Sequence, residues 1–210
     1  AQGADVIVLS MGPETAMDAI RKALAMGADK GALVTDPALV GSDALATAGV
    51  LAAAAKKLGA DLVLCGMEAT DSRSGQVPSA LAEILGWPQL TWANKLDVAA
   101  GRATINRQSD AGYDVVEAAL PAVVSVTKAI NEPRYPSLKG IMMSKKKPVD
   151  KFALADLGLS PAEVGQQAAR TTVISYVTLP HRGKGQLIAP KTAAEAAAAI
   201  ADYLQQEKLI

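Results

Sequence analysis

The hydrophobic pattern opens with Asp5-Val6-Ile7-Val8-Leu9-Ser10, a continuous β-branched run halted by Gly12-Pro13, which predicts a buried strand. From Pro13 to Met26 the spacing becomes helical. Ala16, Ile20, Ala23 and Leu24 share one face, Arg21 and Lys22 look outward, and Gly27 lies beyond the end. The alternation then repeats. Gly31–Thr35 predicts a second strand. Ser42–Leu58 predicts a helix, opened by Ser42 or Asp43 and closed by Lys56, Lys57 and Gly59. Ala60–Cys65 predicts a third strand, stopping at Gly66. A third helix runs from Gly75 or Gln76 to Leu85, with Pro78 tolerated only in its first turn. Strands and helices in this order predict an α/β fold: an open, mostly parallel, Rossmann-like sheet with helices on both faces and right-handed crossovers.

After Trp87-Pro88 the pattern shortens. Lys95–Val98, Ala103–Arg107, Tyr113–Ala118 and Ala122–Val126 read as antiparallel strands that extend or flank the sheet, with turns at 99–102 and 110–112. Residues 131–151, with Pro133, Pro136, Gly140, Pro148 and Lys145-Lys146-Lys147, read as irregular and exposed. Residues 172–178 suggest one more strand, and His181-Arg-Gly-Lys-Gly185 a flexible link. Lys191–Gln206 reads as a final helix with Thr192 as its N-cap. No internal repeat is evident. The division expected is an α/β domain over 1–181 and a C-terminal arm over 182–210.

Composition narrows the chemistry. The 210 residues carry 21 Lys+Arg against 21 Asp+Glu, and this balance argues against nucleic-acid binding by counterion release. One Phe, two Trp and four Tyr are too few for base-stacking platforms. One Cys excludes an intrachain disulfide framework, and one His excludes a multi-histidine metal centre. No apolar run reaches the roughly 18 residues of a membrane span, so direct membrane insertion is not expected. Residues 1–10 show no signal-peptide pattern.

Catalytic residues are scarce. His181, in a Gly/Arg/Lys-rich link, reads as a solvated loop histidine rather than a general base. Cys65, at the end of a buried strand with no nearby cation, reads as structural. Neither GxxxxGK[ST] nor GxGxxG follows a strand. The strongest candidate is the loop Gly66-Met67-Glu68-Ala69-Thr70-Asp71-Ser72-Arg73-Ser74-Gly75-Gln76 between a strand and a helix. Ligands of open parallel sheets bind beyond the carboxyl ends of the strands, and a Gly/Ser loop entering a helix offers free N–H groups and the positive end of its dipole. Arg73, Ser72 and Ser74 suit a phosphate. An ordinary polar loop whose Asp71 or Ser74 caps the helix is the plainer reading. Met11, at the end of the first strand here, could line the same crevice. A second candidate is Asn131–Lys147, where Leu138, Ile141, Met142 and Met143 sit among prolines and lysines. They form either a docking anchor or residues that fold back onto the core.

Several segments resemble the electron-transfer flavoprotein β subunit. They are Ala19–Lys30, Asp61–Gly66 with its Asp/Ser/Gly-Gln loop, Gly86-Trp-Pro-Gln89, Leu120-Pro-Ala-Val-Val-Ser-Val, Asn131-Glu-Pro-Arg-Tyr135 and the Ile-Met…Lys-Lys-Lys tail. They occur in family order across nearly the whole chain. Family members begin about 50 residues earlier, with a strand, helix and loops that contribute to the nucleotide and flavin sites, so the first strand here is not the first of the family fold. The resemblance implies a non-enzymatic electron carrier that pairs with a homologous α subunit. One FAD, held mainly by that subunit, takes electrons from acyl-CoA dehydrogenases or related flavin dehydrogenases, as in fatty-acid β-oxidation, and passes them to a quinone oxidoreductase.

The resemblance further implies that the β subunit holds AMP as a structural ligand. By position the AMP site would comprise Met11, Gly66 and Met67 through Val77, with the phosphate near Ser72, Ser74, Gly75 and Gln76. This loop is about two residues shorter than in animal members. Tyr135, Pro136, Ser137, Leu138, Lys139, Gly140, Ile141 and Met142 would form the recognition loop, with Leu138 as the anchor in a dehydrogenase pocket. Residues 182–210 would be the arm on the α subunit, with Ala193–Ala201 facing it or packing on its own domain. The implied location is bacterial cytoplasm, or the mitochondrial matrix for a eukaryotic member. The alternatives are a bifurcating flavoprotein with a second FAD in the AMP position, a stand-alone nucleotide-binding regulatory domain, and an enzyme with its own active site.

Overall fold

The strand–helix alternation becomes β1 (Ile7–Met11), α1 (Met17–Ala25), β2 (Lys30–Val34), α2 (Ala44–Lys57), β3 (Leu62–Gly66) and α3 (Val77–Leu85) in a computed structural model that describes residues 3–70, 72–179, 183, 185 and 187–210. There follow β4 (Gln89–Ala99), β5 (Arg102–Ser109), β6 (Gly112–Ala119), β7 (Ala122–Val126), α4 (Leu138–Ser144), β8 (Val149–Phe152), the short α5 (Gly165–Ala168) and α6 (Ala193–Gln206). Two units result, 1–172 and 173–210. His181 lies outside the described residues.

The first unit contains two sheets, ordered β1-β2-β8 and β3-β7-β4-β5-β6. Every pairing in the first is parallel, as are β3–β7 and β7–β4. Only β4–β5 and β5–β6 are antiparallel. The predicted mostly parallel α/β architecture is therefore present. Side chains of β1 alternate between two helices. Val8 packs with Ile20 and Leu24 of α1, while Leu9 and Met11 pack with Val50 and Ala54 of α2. The small residues of α2 let it bury two sides, because Ala48 and Ala52 meet Leu81, Ala82 and Val123.

Three local expectations are corrected. Ala122–Val126 is not an antiparallel flank; β7 lies parallel between β3 and β4, with Ala122 through Ser125 buried. A short continuous apolar run carries no period that separates a central parallel strand from other elements. Residues 131–151 are not simply irregular. They contain α4 and also β8, which extends β2 in parallel register from Gly31↔Val149 to Val34↔Phe152. Alternation along β8 is real, since Val149 packs toward α1 and Phe152 toward α2, but the strand is only four residues long. Residues 172–178 form no strand. Their β-branched residues have no neighbouring strand to pair with, and Val173, Ile174, Tyr176 and Val177 are exposed.

Strand β4 serves two neighbours of opposite direction. Its register shifts between Leu90 and Ala93, where Trp92 takes φ +61° and its N–H donates to the buried Ser125 hydroxyl at 3.1 Å. Past that bulge the parallel pairing with β7 resumes at Ala93↔Val126, and the antiparallel ladder with β5 begins at the same residue with Ala93↔Arg107.

Asp43, one of the two caps expected for α2, performs two tasks. One carboxylate oxygen accepts from the Ala46 N–H at 2.9 Å, and the other accepts from the N–H groups of Arg170 at 2.7 Å and Thr171 at 3.1 Å. The Ala46 bond most of all, then those from Arg170 and Thr171, holds this carboxyl below its ordinary 3.8 against an opposing burial effect. Asp43→Ala should cost about 1–2 kcal/mol at neutral pH, measured by urea unfolding. The charged form is the stabilised one. Its contribution is complete above pH 3.8 and is lost as pH falls through the lowered value, so parent and variant should converge in acid.

Candidate functional site

The loop leaving β3 is shaped by its backbone. Arg73 takes φ +48° and its N–H donates to the Ala69 carbonyl at 3.0 Å. Gly75 follows at φ +62°. Among the described residues, a Cβ built there would find only the Met67 carbonyl oxygen within 4 Å, at 3.9 Å, so they leave the space beside Gly75 open. Helix α3 then begins at Val77 with Gln76 in the capping position, and the Gln76 side chain makes no capping hydrogen bond. The plainer reading, in which Ser74 caps the helix, is not what forms. Asp71 lies outside the described residues.

These features enclose a cavity of about 310 Å³ lined by Gly66, Met67, Glu68, Ala69, Ser72, Ser74, Gly75 and Val77, at the low end of small-molecule clefts. Thr70, Arg73 and Gln76 belong to the same loop but not to its lining. Cys65 and Pro78 also line it and were not among the expected residues. Burial pushes the Cys65 thiol up to about 11, so it stays protonated at neutral pH and serves as an apolar wall.

Met11 does not line this cavity. It borders a second one of about 590 Å³ at the carboxyl ends of β1 and β2, together with Gly12, Pro13, Thr35, Asp36 and Leu39. Pro13 marks the turn after β1 in the sequence. Thr35 and Asp36 carry only their position after β2 as a signal.

The second candidate region projects outward. Ser137 caps α4 by accepting from the Gly140 N–H at 3.0 Å. Leu138, Ile141 and Met142, spaced i, i+3 and i+4, share the outer face, and Leu138 is 77% exposed. Tyr135 is 96% exposed, Pro136 half-buried, and Lys139, Lys145 and Lys146 surround the stripe in solvent. Gly140 turns the other way, toward α1.

In the second unit Thr192 caps α6 as expected, accepting from the Glu195 N–H at 3.2 Å, and no residue of α6 is buried. Among the described residues, no group of His, Cys, Asp and Glu is placed to hold a metal, and no helix is long and apolar enough to cross a membrane.

Parallel strands ending at an open, glycine-bearing loop that feeds a helix define an α/β protein with a carboxyl-end ligand crevice. The model of the electron transfer flavoprotein domain matches residues 1–157. The electron transfer flavoprotein subunit beta of Mycobacterium tuberculosis is 44% identical over 206 residues, covering 98% of this chain and 77% of the relative. The same-named protein of Mycobacterium leprae gives the same identity and coverage. The caffeyl-CoA reductase-Etf complex subunit CarD of Acetobacterium woodii is 37% identical over 99% of this chain and 80% of its own length. The chain belongs to the electron transfer flavoprotein family, on its β-subunit side.

Proposed function

We propose that this chain is the β subunit of a heterodimeric electron carrier, binding AMP in the 66–77 loop and docking flavin dehydrogenases through α4. The observation that carries the reading is the 44% identity, across 98% of the chain, with proteins named electron transfer flavoprotein subunit beta. The geometry fits the role. An acceptor-only phosphate suits the open side of Gly75 and the start of α3, where Gln76 makes no side-chain cap. Ser72 and Ser74 would bond its oxygens, and Glu68 would accept from sugar hydroxyls. The FAD of the heterodimer, held mainly by the α subunit, would supply the redox chemistry. The β chain's task is to hold that partner through the arm at 182–210 and to bring an acyl-CoA dehydrogenase, then a quinone oxidoreductase, within transfer distance. The bacterial cytoplasm is the setting that fits its bacterial relatives.

A second reading, a bifurcating flavoprotein with a further FAD in place of AMP, is favoured by one observation. The larger cavity beside Met11 opens at the carboxyl ends of β1 and β2, in the other sheet of the same unit, and offers further room for a ligand. One measurement separates the two. The chain is co-purified with its α subunit, the ligands are released by denaturation, and FAD and AMP are quantified. One FAD and one AMP per heterodimer are expected. Two FAD without AMP would replace the first reading with the second, and neither nucleotide would sink both.

A further inference from the structure

The docking helix is too short to hold itself. Seven residues are far below the length at which an isolated helix is stable, so α4 owes its order to what it rests on. That support is the C-terminal end of α1, and the contact is reciprocal. Arg21 of α1 donates through one guanidinium nitrogen to the Ser144 carbonyl at 2.6 Å and the Lys147 carbonyl at 2.8 Å, at the end of α4. Lys147, just past α4, donates through its ammonium to the carbonyls of Leu24, at 3.1 Å, and Ala28, at the end of α1. Each helix thus receives a cation at the end where its dipole is negative.

Gly140 completes the seat. A Cβ there would stand 2.5 Å from the Ala25 carbonyl oxygen, so the two backbones meet directly. The Lys145–Lys147 run is therefore divided. Lys145 and Lys146 are exposed, while Lys147 is half-buried and turned inward. All of this lies opposite the face that presents Leu138, Ile141 and Met142.

We propose that Arg21 and Lys147 are positioning residues that clamp α4 onto α1 and so hold the Leu138 face in its docking geometry; this rests on the reading of α4 as the partner-facing helix. Neither residue need touch the partner. Their effect is on the fraction of molecules whose docking face is formed before encounter. If losing one side of the clamp leaves α4 ordered about a tenth of the time, the apparent affinity for the dehydrogenase falls about 10-fold while the transfer step is untouched.

The test uses the FAD-loaded heterodimer as electron acceptor for a short-chain acyl-CoA dehydrogenase reduced by butyryl-CoA. Arg21→Met and Lys147→Met keep the aliphatic stems and remove the donors. Each should raise KM for the heterodimer about 10-fold and leave kcat within about twofold. Backbone amides over 140–147 should exchange faster, with β2 and β7 still protected. Lys147→Arg, which restores a donor, should return KM most of the way. Unchanged KM in both Met variants, or a fall in kcat together with loss of protection in the sheets, overturns the clamp. Leu138→Ala is run alongside. If it raises KM while the Met variants do not, only the clamp fails. If it too leaves KM unchanged, the docking reading fails and the proposal with it.

Discussion

Leu138→Ala should raise the concentration of heterodimer that half-saturates electron acceptance from an acyl-CoA dehydrogenase by about 10- to 30-fold, with flavin content and melting temperature unchanged. The separation of effects follows from geometry. Leu138 is 77% exposed, so truncating it removes little internal packing. In a partner's pocket the same side chain would be fully desolvated. Burying a leucine is worth about 1.5–3 kcal/mol, and alanine keeps one of its four side-chain carbons. The loss should fall on dissociation rather than encounter. Lys139, Lys145 and Lys146, exposed around the stripe, would steer an acidic partner surface, so the association rate should decline as salt is added, in parent and variant alike. A carrier that must leave after each transfer is served by a single modest anchor. Steady-state titrations of acceptor against several reduced dehydrogenases check this, and equal half-saturation for parent and variant with every one of them would remove Leu138 as the anchor.

What the hydrophobic pattern announces and what it hides can be traced to particular residues. The β-α-β-α-β-α half is legible because strand runs such as Ile7–Leu9 and caps such as Asp43 act locally. The loop after β3 is legible for the same reason: a strand, glycine, small polar residues and a helix follow one another in sequence. The parallel place of β7 is not legible, since a buried run of Ala122–Val126 has no period and its neighbours lie far away in sequence. The strand β8 is hidden by its length and by Asp150 and Lys151, which look like solvent-facing charges. They pair with Lys30 and Glu14, both at 2.6 Å. Lys147 is misread by its neighbours. Three lysines in a row suggest a solvated face, whereas the direction of the third is set by the Leu24 and Ala28 carbonyls at the end of α1. The cavity beside Met11 is hidden in part because Thr35, Asp36 and Leu39 reach Met11 only through the parallel register of β1 and β2.

Gly75→Val should empty the proposed nucleotide site, with AMP recovered after denaturation falling from the expected one per heterodimer to a small fraction, as an affinity loss of about 100-fold would produce. Two effects act together. The backbone at φ +62° disfavours a β-branched residue by about 1–2 kcal/mol. The new side chain would also fill the open space that a phosphate needs in order to reach the loop's N–H groups. Since among the described residues only the Met67 carbonyl oxygen lies within 4 Å of that Cβ, and loop residues 68–76 that are described are exposed, the fold should survive. Gly75→Asn separates the causes, because asparagine tolerates the left-handed conformation but still adds a Cβ. If blocked approach of the phosphate is the larger effect, Asn should lose AMP nearly as completely as Val. If backbone strain is the larger, Asn should keep it. Full AMP in both variants would mean that the nucleotide is held elsewhere, and the cavity beside Met11 would then be the place to substitute next.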